Sequence, residues 1–136
     1  MPALADLAQQ YYDANNTYAE LVHFLQIYVI EPHPQSPDIS PYTGDVWEAS
    51  YSSKPMPYTY AERLANAEDL RSLVVNGQTL LIDDLDHDGH INPVWCTYGP
   101  CPNCAFLIRQ DGTVVESQTW VDPVTMRLAM DDLLSN

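Results

Sequence analysis

Phe24-Leu25-Gln26-Ile27-Tyr28-Val29-Ile30-Glu31-Pro32-His33-Pro34 is the stretch that decides the fold. From Phe24 to Ile30 only Gln26 is polar, so the run lacks the alternation of a strand with one wet face. It reads as a strand covered on both faces, as in a mostly parallel sheet. Proline has no amide hydrogen for a ladder, and Pro32 and Pro34 end the run. Glu31 and His33 then stand at the C-terminal end of the strand, where open α/β sheets place their ligands. Spaced by two, both side chains can leave the strand end in one direction. An imidazole there suits a general acid; a lone histidine between two prolines suits a packing role equally.

Upstream, Leu4, Leu7, Ala8 and Tyr11 form one apolar stripe, which predicts a helix over residues 1–16. A helix of this kind normally follows a first strand in a small α/β domain, and no such strand precedes it here. Thr17 and Glu20 have capping-box spacing. Downstream, residues 32–58 hold six of the eleven prolines and read as a long irregular loop. A helix restarts at Thr59, with Glu62 three residues on and a face at Arg63, Leu64, Ala67 and Leu70. Asn76-Gly77 signals a turn, and residues 79–82 a short buried strand ending in Asp83-Asp84. Residues 105–108 and 114–117 flank Asp111-Gly112, a strong hairpin signal. The last helix opens at Asp122-Pro123 and keeps helical spacing through Met126, Ala129, Met130, Leu133 and Leu134. The order is α-β-α-β-β-α in one domain over residues 1–136, with no internal repeat.

Composition narrows the partners. The 136 residues carry a formal charge of −14, and the pI is near 4.1. Such a chain repels phosphate backbones, which argues against nucleic acid. No apolar run approaches the roughly 18 residues of a membrane span, and no basic-plus-apolar signal opens the chain. The reading is a cytoplasmic protein.

Three clusters could carry chemistry. Cys96, Cys101 and Cys104 form C-x4-C-x2-C in a proline-rich stretch. Near an α/β pattern a C-x-x-C suggests thiol redox work, although a pair that precedes a strand lacks the helix N-terminus that lowers a thiol pKa. Packed thiols, and a Cys3His zinc site completed by His90, are the other readings. Asp84-Leu85-Asp86-His87-Asp88-Gly89-His90-Ile91 matches the first part of a calcium loop, with Asp84, Asp86 and Asp88 as ligands. Position 12 is Trp95 instead of glutamate, so the plainer reading is a solvated acidic turn and no cofactor. Tyr42, Tyr51, Tyr58 and Tyr60 lie in or beside the long loop and either line a pocket for an aromatic substrate or cover the sheet.

Residues 27–34, Tyr60-Ala61-Glu62-Arg63-Leu64-Ala65-Asn66-Ala67, Leu81-Ile82-Asp83-Asp84-Leu85-Asp86 and residues 98–108 resemble, in order and spacing, the iodothyronine deiodinase family and its bacterial relatives. The resemblance implies a thioredoxin-like three-layer α/β/α sandwich whose first strand, with the family's catalytic cysteine or selenocysteine, would lie ahead of Met1. That strand would sit between residues 24–30 and 79–82, leaving those two to close up or to accept a donated strand. The implied activity is thiol-dependent reduction, including reductive dehalogenation, of a small or aromatic substrate with a thiol reductant. His33 would be the acid beside Glu31, and Cys101 or Cys104 a resolving thiol. Pro102 falls where thioredoxin folds keep a cis-proline. Asp45-Val46-Trp47 stands in for the family's Asp-Gly-Trp, making Pro102 and Trp47 the implied substrate-binding residues. A homodimer is the implied assembly. A non-catalytic interaction module and a calcium-binding domain are the alternative functions.

Overall fold

The structure is a computed structural model that describes residues 21–46, 54–74, 78–85 and 92–135. The expected helix over residues 1–16, the Asn76-Gly77 turn, Trp47, Asp86, Asp88 and His90 lie outside the described residues. The elements are β1 (Phe24–Tyr28), α1 (Tyr60–Arg71), β2 (Gln78–Ile82), α2 (Pro93–Tyr98), β3 (Ala105–Ile108), β4 (Val114–Gln118) and α3 (Pro123–Ser135). The chain is thus a small mixed α/β fold.

β1 and β2 are hydrogen-bonded directly and in parallel, from Phe24 opposite Gln78 to Tyr28 opposite Ile82. Of the outcomes weighed for these two strands, they close up and pair directly. The ladder ends with the amide of Asp83 donating to the Tyr28 carbonyl at 2.8 Å. β1 therefore stops two residues before Ile30, since β2 offers no further partner. β3 and β4 form a separate antiparallel hairpin with a bulge that places Val115 out of register. Its turn is the expected one: Gly112 has φ +87°, a conformation that suits glycine, and the Thr113 amide donates to the Asp111 carboxylate at 2.9 Å.

The two longer helices start where local chemistry dictates. Thr59 and Glu62 form a full capping box on α1, each side chain accepting from the other's backbone amide. Its buried stripe is Arg63, Asn66, Ala67 and Leu70, so two polar side chains take inward places while Leu64 points to solvent. Asp122 caps α3 by accepting from the Val124 amide at 3.0 Å and the Thr125 hydroxyl at 2.9 Å. These bonds hold its carboxyl below the usual range, the Thr125 hydroxyl contributing most.

Met126 and Met130 of α3 are buried against Val22, Phe24, Ala105, Leu107 and Leu134. One helix face thus seats a strand from each sheet. α2, absent from the expected order, is a single short helix begun by Pro93. No helix among the described residues is long and apolar enough to cross a membrane.

Candidate functional site

The parallel register brings the C-terminal ends of β1 and β2 together, with Glu31 following one and Asp83 the other. α1 reaches over these ends. Arg63, only 1% exposed, donates from Nη1 to the carbonyls of Asp83 at 3.1 Å and Asp84 at 2.8 Å. Its Nη2 donates to the Asn92 side chain, itself buried. One guanidinium therefore ties the end of β2 to the start of α2. Burial pulls the Arg63 pKa down from its ordinary value, while Asp83, Glu31 and Asp84 favour the charged form.

Asp83 completes the junction. Its carboxylate accepts from the Val94 amide at 3.0 and 3.1 Å and from the Trp95 amide at 3.1 Å. Asn92 is the N-cap residue of α2 but makes no side-chain cap bond, so a carboxylate from the preceding strand end caps this helix. Arg63 and Asp83 together set where Trp95 sits.

Glu31 is 7% exposed. The Tyr28 hydroxyl donates to its Oε1, and Asn66 also hydrogen-bonds its carboxyl. Asn66 donates in addition to the Pro55 carbonyl at 2.8 Å, anchoring the end of the long loop. Burial raises the Glu31 pKa to about 7, and the Asn66 bond and the charges of Lys54 and Arg63 only partly oppose it. His33 is half-buried and meets Tyr42 edge-on at 6.5 Å, and Tyr42 in turn meets Trp95 at 6.4 Å. Because β1 ends at Tyr28, strand alternation does not set the directions of Glu31 and His33. Glu31 turns inward to Tyr28 and Asn66, and His33 packs on the aromatic row.

That row leads to the cysteines. α2 carries both Trp95 and, at its last residue, Tyr98, whose ring packs against Phe106 at 5.3 Å. Gly99 closes the helix at φ +90°. Cys101 and Cys104 follow as a disulfide with Cα atoms 5.2 Å apart, both half-buried. Cys101 Sγ lies 3.7 Å from the Tyr98 carbonyl. As a disulfide the pair does not supply the two sulfurs of a Cys3His zinc site, and Cys96 is a free, exposed thiol. The peptide bond before Pro102 is trans, which corrects the cis-proline implied by the resemblance; the cis bond among the described residues is Ser36–Pro37. Pro102 itself is half-buried.

The acidic loop is described only at its start. The Asp84 side chain is exposed and accepts from the Leu85 amide at 2.8 Å. Among the described residues no group of His, Cys, Asp and Glu side chains is arranged to hold a metal ion.

Sequence reading passed over Arg63, Asn66, Asp83 and Asn92 as site residues. A signal for the first two was present: Ala67 and Leu70 place residues 63 and 66 on the same helical stripe. Nothing in the spacing of Asp83 and Asn92 marked them.

Comparison with family models, curated proteins and solved structures finds no match to this chain.

Proposed function

We propose that the chain is a cytoplasmic thiol oxidoreductase of thioredoxin-like, three-layer architecture, acting by deiodinase-like chemistry on a small or aromatic halogenated substrate. The observation that carries this reading is the Cys101–Cys104 disulfide in a half-buried loop that follows α2, the helix whose Trp95 meets Tyr42, which in turn meets His33. Closing a loop this short stabilises a fold by about 2 kcal/mol in the chain-entropy account, less than the ~3 of a 15-residue loop. A pair this close in sequence is therefore a weak staple and a ready electron store.

The balance is simple. Reduced Cys101 and Cys104 close to the disulfide and release two electrons and two protons. The carbon–halogen bond takes the electrons; the carbon takes one proton, supplied by His33, and the other is released with the halide. An external thiol then reopens the disulfide. The pair follows the C-terminal end of α2, where the partial charge disfavours a thiolate. That position suits thiols that supply electrons or resolve an intermediate better than a leading nucleophile.

The test is iodide release from a diiodophenol in excess dithiothreitol. Release is expected to require both cysteines, vanishing in Cys101→Ser and Cys104→Ser, and to fall about a hundredfold in His33→Ala. No release from a protein whose disulfide opens and closes normally would sink the enzyme reading and leave a non-catalytic interaction module. A melting temperature that climbs with millimolar calcium, and falls back with chelator, would instead favour the metal-binding alternative at Asp84, Asp86 and Asp88.

A further inference from the structure

We propose that Glu31 and Arg63 form a pH-sensitive latch, in which loss of the Glu31 proton draws the Arg63 guanidinium away from β2 and α2 and loosens the start of α2. This goes beyond the redox reading and does not depend on it. The first observation is a charge count. Among the described residues three ionisable side chains are buried: Glu31, Arg63 and Asp83, at 7%, 1% and 3% exposure. One buried cation therefore serves two buried acids. With Glu31 protonated, the cluster is one carboxylate and one guanidinium and carries no net charge. With Glu31 ionised it holds an uncompensated negative charge, which is costly unless a cation moves towards it.

The second observation is which groups surround Glu31. Tyr28 of β1 donates its hydroxyl, Asn66 of α1 bonds the carboxyl, and Lys54 near the end of the long loop adds its charge. Lys54 is engaged elsewhere, since its ammonium meets Asp69 at 2.6 Å. Arg63 is the other cation. It lies one turn from Asn66 on the same buried stripe of α1, and it and Glu31 each favour the other's charged form. Asp83 and Asp84, at the end of β2, act on Arg63 in the same way. His33, two residues beyond Glu31, meets Tyr42 edge-on. The Nε–H of Arg63 is buried and makes no hydrogen bond among the described residues, so the guanidinium keeps a donor in reserve.

What Arg63 holds makes the pair a latch. Its two terminal nitrogens grip the Asp83 and Asp84 carbonyls and the Asn92 side chain, and Asp83 in turn accepts from the Val94 and Trp95 amides. α2 is six residues long and gets no side-chain cap from its own N-cap residue, so this outside hold decides whether its first turn stays formed. A guanidinium drawn to Glu31 leaves the carboxylate of Asp83 without its balancing charge. Burial raises the Glu31 pKa to about 7, so the latch is closed below neutral pH and opens above it.

The experiment is a pH titration of the full, isotope-labelled chain by NMR, following the Glu31 carboxyl carbon, the Arg63 Nε–H and the amides of Val94 and Trp95. These signals are expected to move together, with a common midpoint near pH 7. In Glu31→Gln the Arg63 and amide signals are expected to stay in place, whereas any movement caused by His33 would survive that change. In Arg63→Lys the Glu31 carboxyl still titrates, and the Val94 and Trp95 amides are expected to lose most of their movement, because one ammonium does not bridge the two segments. A Glu31 carboxyl that titrates without moving those amides overturns the proposal. So do amides that titrate equally in Glu31→Gln, or a Glu31 proton lost near the ordinary 4.5. None of these signals involves halide release, so the latch and the redox reading fail separately.

Discussion

Arg63→Ala is expected to lower the unfolding free energy by about 3–5 kcal/mol, read as an earlier midpoint in urea. The cost comes from what the deletion leaves behind. The carbonyls of Asp83 and Asp84 and the side chain of Asn92 all lose their donor, and Asp83 and Asn92 remain buried. Arg63→Met, which restores volume without donors, is expected to recover little of this. Arg63→Lys is expected to fall between, because one ammonium cannot span the planar fork that now reaches the end of β2 and the start of α2. Trp95 reports the same event by fluorescence, since Asp83 holds its amide and its ring meets Tyr42. A methionine variant as stable as the parent would show that the guanidinium only fills space.

The second large effect concerns acidity. The carboxyl of Glu31 is raised to about 7 in the folded protein, chiefly by burial, against an ordinary value of 4.5. A raised carboxyl pKa means that the folded state holds its proton where the unfolded state has released it. The Glu31 contribution to stability is therefore greatest below pH 4.5, declines as pH rises towards 7, and is level above that. At 1.36 kcal/mol for each pH interval of one, the loss is about 3 kcal/mol at most. Glu31→Gln, which keeps the Tyr28 and Asn66 partners and cannot ionise, is expected to remove this slope. It should leave the protein more stable than the parent at pH 8 and nearly equal at pH 4. Melting temperatures of both proteins across that range decide the matter, and parallel curves would contradict it.

These two residues also show where sequence reading stops. The apolar run through residues 24–30 announced a strand, which the structure ends at Tyr28, and Asp111-Gly112 announced the hairpin, because both signals are local. The same holds for α1 and α3, whose caps at Thr59 and Asp122 act within a few residues of themselves. α2 was missed because its cap comes from Asp83, eleven and twelve residues before the amides it holds. The direct pairing of β1 with β2 was one of the outcomes the sequence left open, since a strand's pattern does not say which strand lies beside it. The cover expected on both faces of β1 is not found among the described residues, where Leu25 and Ile27 are exposed. The cis-proline expected at Pro102 rested on resemblance alone, and the loop between Gly99 and Ala105 closes around a disulfide with a trans bond instead.

For the candidate site, the sequence by itself marked His33, Glu31 and the Cys101–Cys104 pair, since residue type and a three-residue spacing suffice to name them. It also determined that the chain mixes helices with strands and carries a strong excess of negative charge. Only the tertiary structure decided that Arg63 is a buried tie, since its partners stand 20, 21 and 29 residues away. Only the tertiary structure gave Glu31 its raised pKa and placed β1 and β3 under one helix. Burial and hydrogen-bond partnership belong to pairs of distant segments, and a protonation state follows from both, so no reading of neighbours along the chain can supply them.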